Sequence, residues 1–264
     1  MHPILLKLGP LTIYSYGVML VIAFLTSAWL AQRATLRLPP AYRAIPPEQI
    51  LDAFSAMLLG GILGGRLLYI LLYWDMFRRE PMEMLAIWHG GLVWYGGFLG
   101  GGLAGVLSLR AKRLDVLAAA DQLAPFLALG HAIGRVGCFL NGCCYGKPTT
   151  SWGGVTFPSS ATPVIPTQVI EALGLLFLYA LLSALQRRSA RGPKRQPGGV
   201  FGWYLVLYAV LRFLMEFLRG DQTPLWLELT LQQLISIGLF VLGWVLIVRS
   251  VPSVASLRST SRRK

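Results

Sequence analysis

Three arginines stand where arginine is expensive: Arg66, Arg135 and Arg212 each interrupt a long apolar run. At the centre of a membrane helix an arginine costs about 2.5–3.5 kcal/mol on an insertion scale, so such residues face a protein interior or a wet cavity and usually mark function. A guanidinium stays charged and grips an anion in two-pronged fashion, which suits phosphate. Arg135 opens the motif Gly134-Arg135-Val136-Gly137-Cys138-Phe139-Leu140-Asn141-Gly142-Cys143-Cys144-Tyr145-Gly146. Its glycines let main-chain N–H groups close on an anion. Tyr208, Arg212 and Glu216 follow at i, i+4 and i+8, with Arg219 three residues later, so they share one helix face. A structural ion pair with Glu171 or Glu216 is the bland reading for any one arginine, but it does not explain why the pair is inside a membrane. The chemistry indicated is recognition of an anionic ligand, with the phosphate of a lipid headgroup the most abundant candidate.

The elements that must position these groups are membrane helices. Of the 264 residues, 55% are hydrophobic and 13% charged, against about 25% charged in a soluble domain. A span needs about 20 mostly apolar residues. Seven candidates are present, at 14–31, 50–74, 92–109, 121–139, 167–185, 199–218 and 229–248. The fourth is the most polar, holding Asp121, Pro125, His131 and Arg135. The fold class expected is all-α: a polytopic helical membrane protein forming a single domain over 1–264. The first apolar run lacks a strongly basic leader and reads as a retained helix.

Loop charge sets the direction. Arg33, Arg37 and Arg43 follow span one, Arg110, Lys112 and Arg113 span three, and Arg187, Arg188, Arg191, Lys194 and Arg195 span five. Arg249, Arg258, Arg262, Arg263 and Lys264 follow span seven. The opposite side carries fewer: Lys7, Arg78, Arg79, Lys147 and Arg219. The N-terminus is therefore expected outside and the C-terminus in the cytoplasm. The net charge of +13 then serves topology, with no nucleic-acid partner implied and membrane lipid headgroups a secondary one.

With that direction, Arg66, Arg135 and Arg212 fall in the outward parts of their spans, level with Tyr16, Trp94, Tyr95, Thr167, Gln168 and Glu171. The expectation is a site near the outer face. Gly60, Gly61, Gly64 and Gly65, and Gly96, Gly97, Gly100, Gly101 and Gly105, are spaced for close helix packing. Residues 141–166, rich in Gly, Pro, Ser and Thr, read as the longest outside loop and as irregular. Cys138, Cys143 and Cys144 are odd in number and without a repeated CxxC, which supports neither a disulfide framework nor a zinc site.

At these residues the chain resembles the prolipoprotein diacylglyceryl transferase family. Besides Gly134–Gly146, the matching segments are Tyr16-Gly17-Val18-Met19, Gly64-Gly65-Arg66, Gly90-Gly91-Leu92-Val93-Trp94-Tyr95-Gly96-Gly97, Pro166-Thr167-Gln168 through Glu171, and Tyr208 to Asp221. The resemblance implies transfer of a diacylglyceryl group from phosphatidylglycerol to the lipobox cysteine thiol of a preprolipoprotein signal peptide, leaving a thioether and glycerol phosphate. It implies no metal or diffusible cofactor, and a bacterial inner-membrane location with the site toward the periplasm. Arg135, Arg212 and Tyr95 are the catalytic residues this suggests. Arg135, Tyr16, Arg66, Asn141, Gly146, Glu171, Tyr208 and Glu216 are the substrate-binding ones, the two glutamates holding arginines in place.

The chain departs from the family pattern in three places. Tyr95 stands where many members have a histidine, and tyrosine accepts a proton near neutrality only if its pKa is lowered, as nearby arginines would do. His89, six residues earlier, is not an obvious substitute. Cys138 and Cys143 stand where Asn and Glu are common, and Ile165 where a histidine usually precedes the proline. The alternatives are a divergent paralogue acting on another phospholipid headgroup and a small-anion transporter, although the internal repeats and broken helices common in transporters are absent from the sequence.

Overall fold

The computed structural model describes residues 3–8, 11–191, 196–220, 225 and 228–251. Lys194, Arg195, Asp221, Arg258, Arg262, Arg263 and Lys264, and the side chain of His89, lie outside the described residues. The protein is mostly helical. The long helices are α1 (Ser15–Arg37), α2 (Ile50–Leu72), α4 (Trp94–Ala111), α5 (Val116–Asn141), α6 (Thr167–Arg191), α7 (Gly199–Leu218) and α8 (Leu231–Ser250), with a short α3 (Trp74–Phe77) after α2. The all-α expectation missed one feature. Strands β1 (Ile4–Leu8) and β2 (Leu11–Tyr14) pair antiparallel ahead of α1, with Lys7 opposite Thr12. Four or five residues are too few for a periodic signal to stand out beside a long apolar run.

Among the described residues, six helices are long and apolar enough to cross a membrane: α1, α2 with the turns before it, α5, α6, α7 and α8. They match six of the seven expected spans. The remaining one, 92–109, is the helix α4 of 18 residues, and it is not among the six. Gly96, Gly97, Gly100, Gly101, Gly102 and Gly105 replace the side chains that would make it as apolar as its neighbours. Large apolar side chains such as Leu63, Phe177 and Val241 stand exposed on these helices, an arrangement that water would penalise and hydrocarbon would not.

The described residues group into two compact units. One covers Arg43–Ala119 and is built on α2 and α4, which pack through their glycines. A Cβ on Gly64 would lie 2.8 Å from Gly100 Cα, and Val93 N donates to Gly65 O at 3.1 Å. The packing role expected of these glycines is what they perform.

The other unit draws on Met1–Tyr42 and Ala120–Lys264. Ala124, Ala128, Leu178, Leu182 and Val200 form a buried cluster joining α5, α6 and α7. Polar groups on α5 are satisfied by neighbours. Gln122 Nε2 donates to Thr35 Oγ1 at 2.7 Å, and Gln186 Nε2 donates to the Gln122 carbonyl at 2.9 Å. Gly198 N and Phe201 N donate to the Asp121 carboxylate, each at 2.7 Å. Asp121 thus supplies from α5 the cap that α7 cannot provide for itself, since Gly198 at its N-terminus has no side chain. Helix α8 caps itself with Thr230 and Gln233 in a reciprocal box.

Candidate functional site

In the second of these units, Arg135 and Arg212 are each fixed by a glutamate. Arg135 Nη2 donates to Glu171 Oε1 at 2.8 Å, from α5 to α6, with only 3% of the Glu171 side chain exposed. Arg212 Nη2 lies 2.8 Å from Glu216 Oε2, one turn along α7. The other oxygen of Glu216 accepts a hydrogen bond from Thr230 Oγ1 at 2.8 Å. The cap residue of α8 therefore orients the carboxylate that orients Arg212. This link ties the site to a helix that contributes none of the expected residues.

Neither guanidinium is used up. Arg135 Nε and Arg212 Nη1 are buried without a hydrogen-bond partner among the described residues, as is Gln168 Oε1. A buried charged donor without an acceptor is costly, so these two donors are suited to an anionic acceptor. Tyr208 lies within electrostatic range of Arg135, Arg212 and Glu171, and so does His131. The His131 ring packs on Tyr208 with centroids 5.2 Å apart, and its Nε2 is 3.8 Å from Glu171 Oε1. His131 was not singled out from the sequence. Its place four residues before Arg135, on the same helix face, was the available signal.

The glycine-rich turn after α5 is pinned to the start of α6. Thr167 Oγ1 donates to Cys144 O at 2.8 Å and Gln168 Nε2 to Cys143 O at 2.6 Å. Gly146 N donates to Ile165 O at 2.8 Å, and a Cβ at Gly146 would meet Leu218 O at 2.6 Å. Gly146 thus permits a close approach of main chains. Asn141 is exposed at the end of α5. Tyr16 is on α1, where a Cβ on Gly137 would come within 3.2 Å of its ring. Apart from Asn141, which ends α5, residues 141–166 hold only isolated bridges, Pro148 with Val164 and Val155 with Val164, and are otherwise irregular as expected.

Arg66 and Tyr95 belong to the α2–α4 unit. The bland reading of Arg66 as the partner of Glu171 or Glu216 is not what the structure has. Its Nε donates to Met84 O at 3.1 Å, its Nη1 to Gly90 O at 2.7 Å and Gly91 O at 3.3 Å, and its Nη2 to Ala86 O at 3.3 Å and to Glu83 O. A guanidinium has five N–H donors, and five carbonyls take them. The group also lies over Phe77, 5.2 Å from the ring centroid. Tyr95 is half-buried in the first turn of α4, edge-on to Trp94 at 5.4 Å.

The chain matches the family model described as prolipoprotein diacylglyceryl transferase over residues 3–249. Among curated relatives, it is 34% identical to a phosphatidylglycerol–prolipoprotein diacylglyceryl transferase of Geobacter sulfurreducens, over 93% of this chain and 94% of the relative. The protein of the same description from Clostridium tetani is 34% identical, over 92% and 95%. That from Nitratidesulfovibrio vulgaris is 35% identical, over 94% and 93%.

Proposed function

The chain belongs to the prolipoprotein diacylglyceryl transferase family, and on that premise we propose that it moves the diacylglyceryl group of phosphatidylglycerol onto the thiol of a prolipoprotein cysteine. The observation that carries this reading is the pair of glutamate-anchored guanidiniums, each with a buried N–H awaiting an acceptor. A phosphodiester offers such acceptors, and anchoring leaves little ordering to be done when it arrives.

In the proposed reaction the substrate thiol loses its proton, since the thiolate is the nucleophile. Sulfur attacks C3 of the glycerol that bears the acyl chains. The C3–O bond breaks, a thioether forms, and glycerol phosphate departs with the bond's electron pair. Arg135 and Arg212 stabilise the charge on that phosphate. Tyr16 and Tyr208 position the headgroup, and Asn141 and Gly146 shape its edge. Glu171 and Glu216 hold the arginines. Arg66, whose donors are taken by carbonyls, contributes by fixing the segment 83–91 that leads into α4.

Two residues stand as proton acceptor. Tyr95 holds the position that the family resemblance assigns. His131 is favoured by its position, 3.8 Å from Glu171 Oε1 and packed on Tyr208, beside the arginine that would hold the phosphate.

The finer setting belongs to the same proposal. Seven helices span a bacterial inner membrane as one transferase domain, α4 among them. The N-terminus is outside and the C-terminus cytoplasmic. The site opens to the periplasmic leaflet, where a signal peptide presents its lipobox cysteine among the membrane lipids.

The test is replacement. A host depleted of its own transferase is given this chain, and transfer of labelled diacylglycerol to prolipoprotein is measured. Rescue is expected. Arg135→Lys should abolish it despite keeping the charge, because the ammonium loses two-pronged recognition. Rescue at full rate by Arg135→Lys would reject the role given to Arg135. Failure of the unaltered chain, with no lipid-linked product, would favour a paralogue acting on another headgroup or an anion transporter.

A further inference from the structure

The turn that follows α5 gathers three thiols that the transfer reaction does not use. Gly142 (φ +74°) and Cys144 (φ +64°) bend the chain back, so that Cys138 in the last turn of α5 meets Cys143 and Cys144 from the loop. Their Sγ atoms all lie within 4.8 Å of one another, and those of Cys143 and Cys144 are 3.6 Å apart. All three are free cysteines and half-buried. The turn is held from outside by the Thr167 and Gln168 side chains and from within by Cys143 N donating to Cys138 O at 3.2 Å. The backbone of the three cysteines is therefore held in place, and their rotamers bring the sulfurs together.

Three sulfurs bound to one ion at about 2.3 Å in a trigonal plane lie about 4 Å from each other. The longest edge of the cluster needs to close by about 1 Å at most, within reach of a cysteine rotamer. We propose that Cys138, Cys143 and Cys144 form a three-thiolate site for a soft monovalent cation, Cu(I). Thiolate donors select soft ions over Mg(II), Ca(II) and Mn(II). Structural zinc is almost always four-coordinate, and this group offers three donors among the described residues. Trigonal sulfur coordination suits Cu(I) as it stands.

Binding displaces the three S–H protons to solvent. The ion with three thiolates carries two negative charges. Arg135 and Arg219 lie within electrostatic range of Cys144 and offset them. The site goes beyond the transfer chemistry and stands or falls separately from it.

The full chain, reduced and in detergent, is titrated with Cu(I) against a chromogenic Cu(I) chelator, with Zn(II) in a parallel run. One Cu(I) per chain is expected, with three sulfur scatterers at about 2.3 Å in X-ray absorption. Each of Cys138→Ser, Cys143→Ser and Cys144→Ser should weaken binding at least tenfold, and the triple variant should not bind. A second readout avoids any disturbance of the turn by serine and uses the unaltered chain: one equivalent of Cu(I) should protect all three cysteines from maleimide, read peptide by peptide by mass spectrometry. Three thiols still reactive at one equivalent, unchanged stoichiometry in the triple variant, or tighter retention of Zn(II) than of Cu(I) would overturn the assignment.

Discussion

At the scale of single residues, the same guanidinium does two different jobs in this chain. Among the described residues, Arg135 and Arg212 each spend one nitrogen on a glutamate and keep another unpaired, whereas Arg66 spends every donor on carbonyls 17 to 25 residues away. The Arg212–Glu216 pair was legible, because i, i+4 spacing fixes its geometry. The partners of Arg66 were not, because they are main-chain atoms of a non-local turn, and a carbonyl leaves no mark in a sequence. His131 was hidden for another reason: a lone histidine in an apolar span reads as packing unless its neighbours are known. Its role is separable from that of Tyr95. His131→Gln and Tyr95→Phe each delete one acceptor with little change of shape. Loss of the true acceptor should lower turnover about 100-fold or more while lipid binding is kept. The other variant should stay within a few-fold. If both stay within a few-fold in single-turnover transfer, neither is the acceptor.

At the scale of elements, helix boundaries were readable wherever apolarity was continuous. α7 begins and ends where expected, at Gly199 and Leu218. α5 runs further than its polar residues suggested, from Val116 to Asn141, because those residues are satisfied by other helices: Asp121 by the start of α7, and Arg135 by Glu171. Glycine spacing announced close packing for α2 and for α4, and the structure adds that they pack on each other. That contact makes a graded prediction. Gly64→Val would drive a side chain into Gly100, where even a Cβ would sit 3.2 Å from the amide nitrogen. Overpacking of this kind costs about 1–3 kcal/mol. A lowered thermal midpoint in detergent is expected. Gly102→Ala on the partner helix α4 meets nothing within 4 Å and should leave the midpoint where it was. Equal effects from the two substitutions would mean that α2 and α4 do not rely on this approach.

At the scale of the molecule, the alternation of basic loops gives a direction that can be read in intact cells. Ser151→Cys lies in the loop proposed to be periplasmic, and Arg188→Cys lies in the last turn of α6, proposed to be cytoplasmic. A membrane-impermeant maleimide should label Ser151→Cys above the native background and leave Arg188→Cys at that background until the membrane is opened. The reverse pattern would turn the site toward the cytoplasm and remove its access to an exported signal peptide. The Asp121 cap has a consequence for biogenesis. Its acceptor oxygens are claimed by amides 77 and 80 residues downstream. At about 5–20 residues per second of synthesis, the nascent chain waits roughly 4–16 s for that partner. Until α7 emerges, the carboxylate has to stay at the edge of the bilayer or beside the translocon. Final seating of α5 is thus a late event, timed by a helix that the ribosome has not yet made when α5 first enters the membrane.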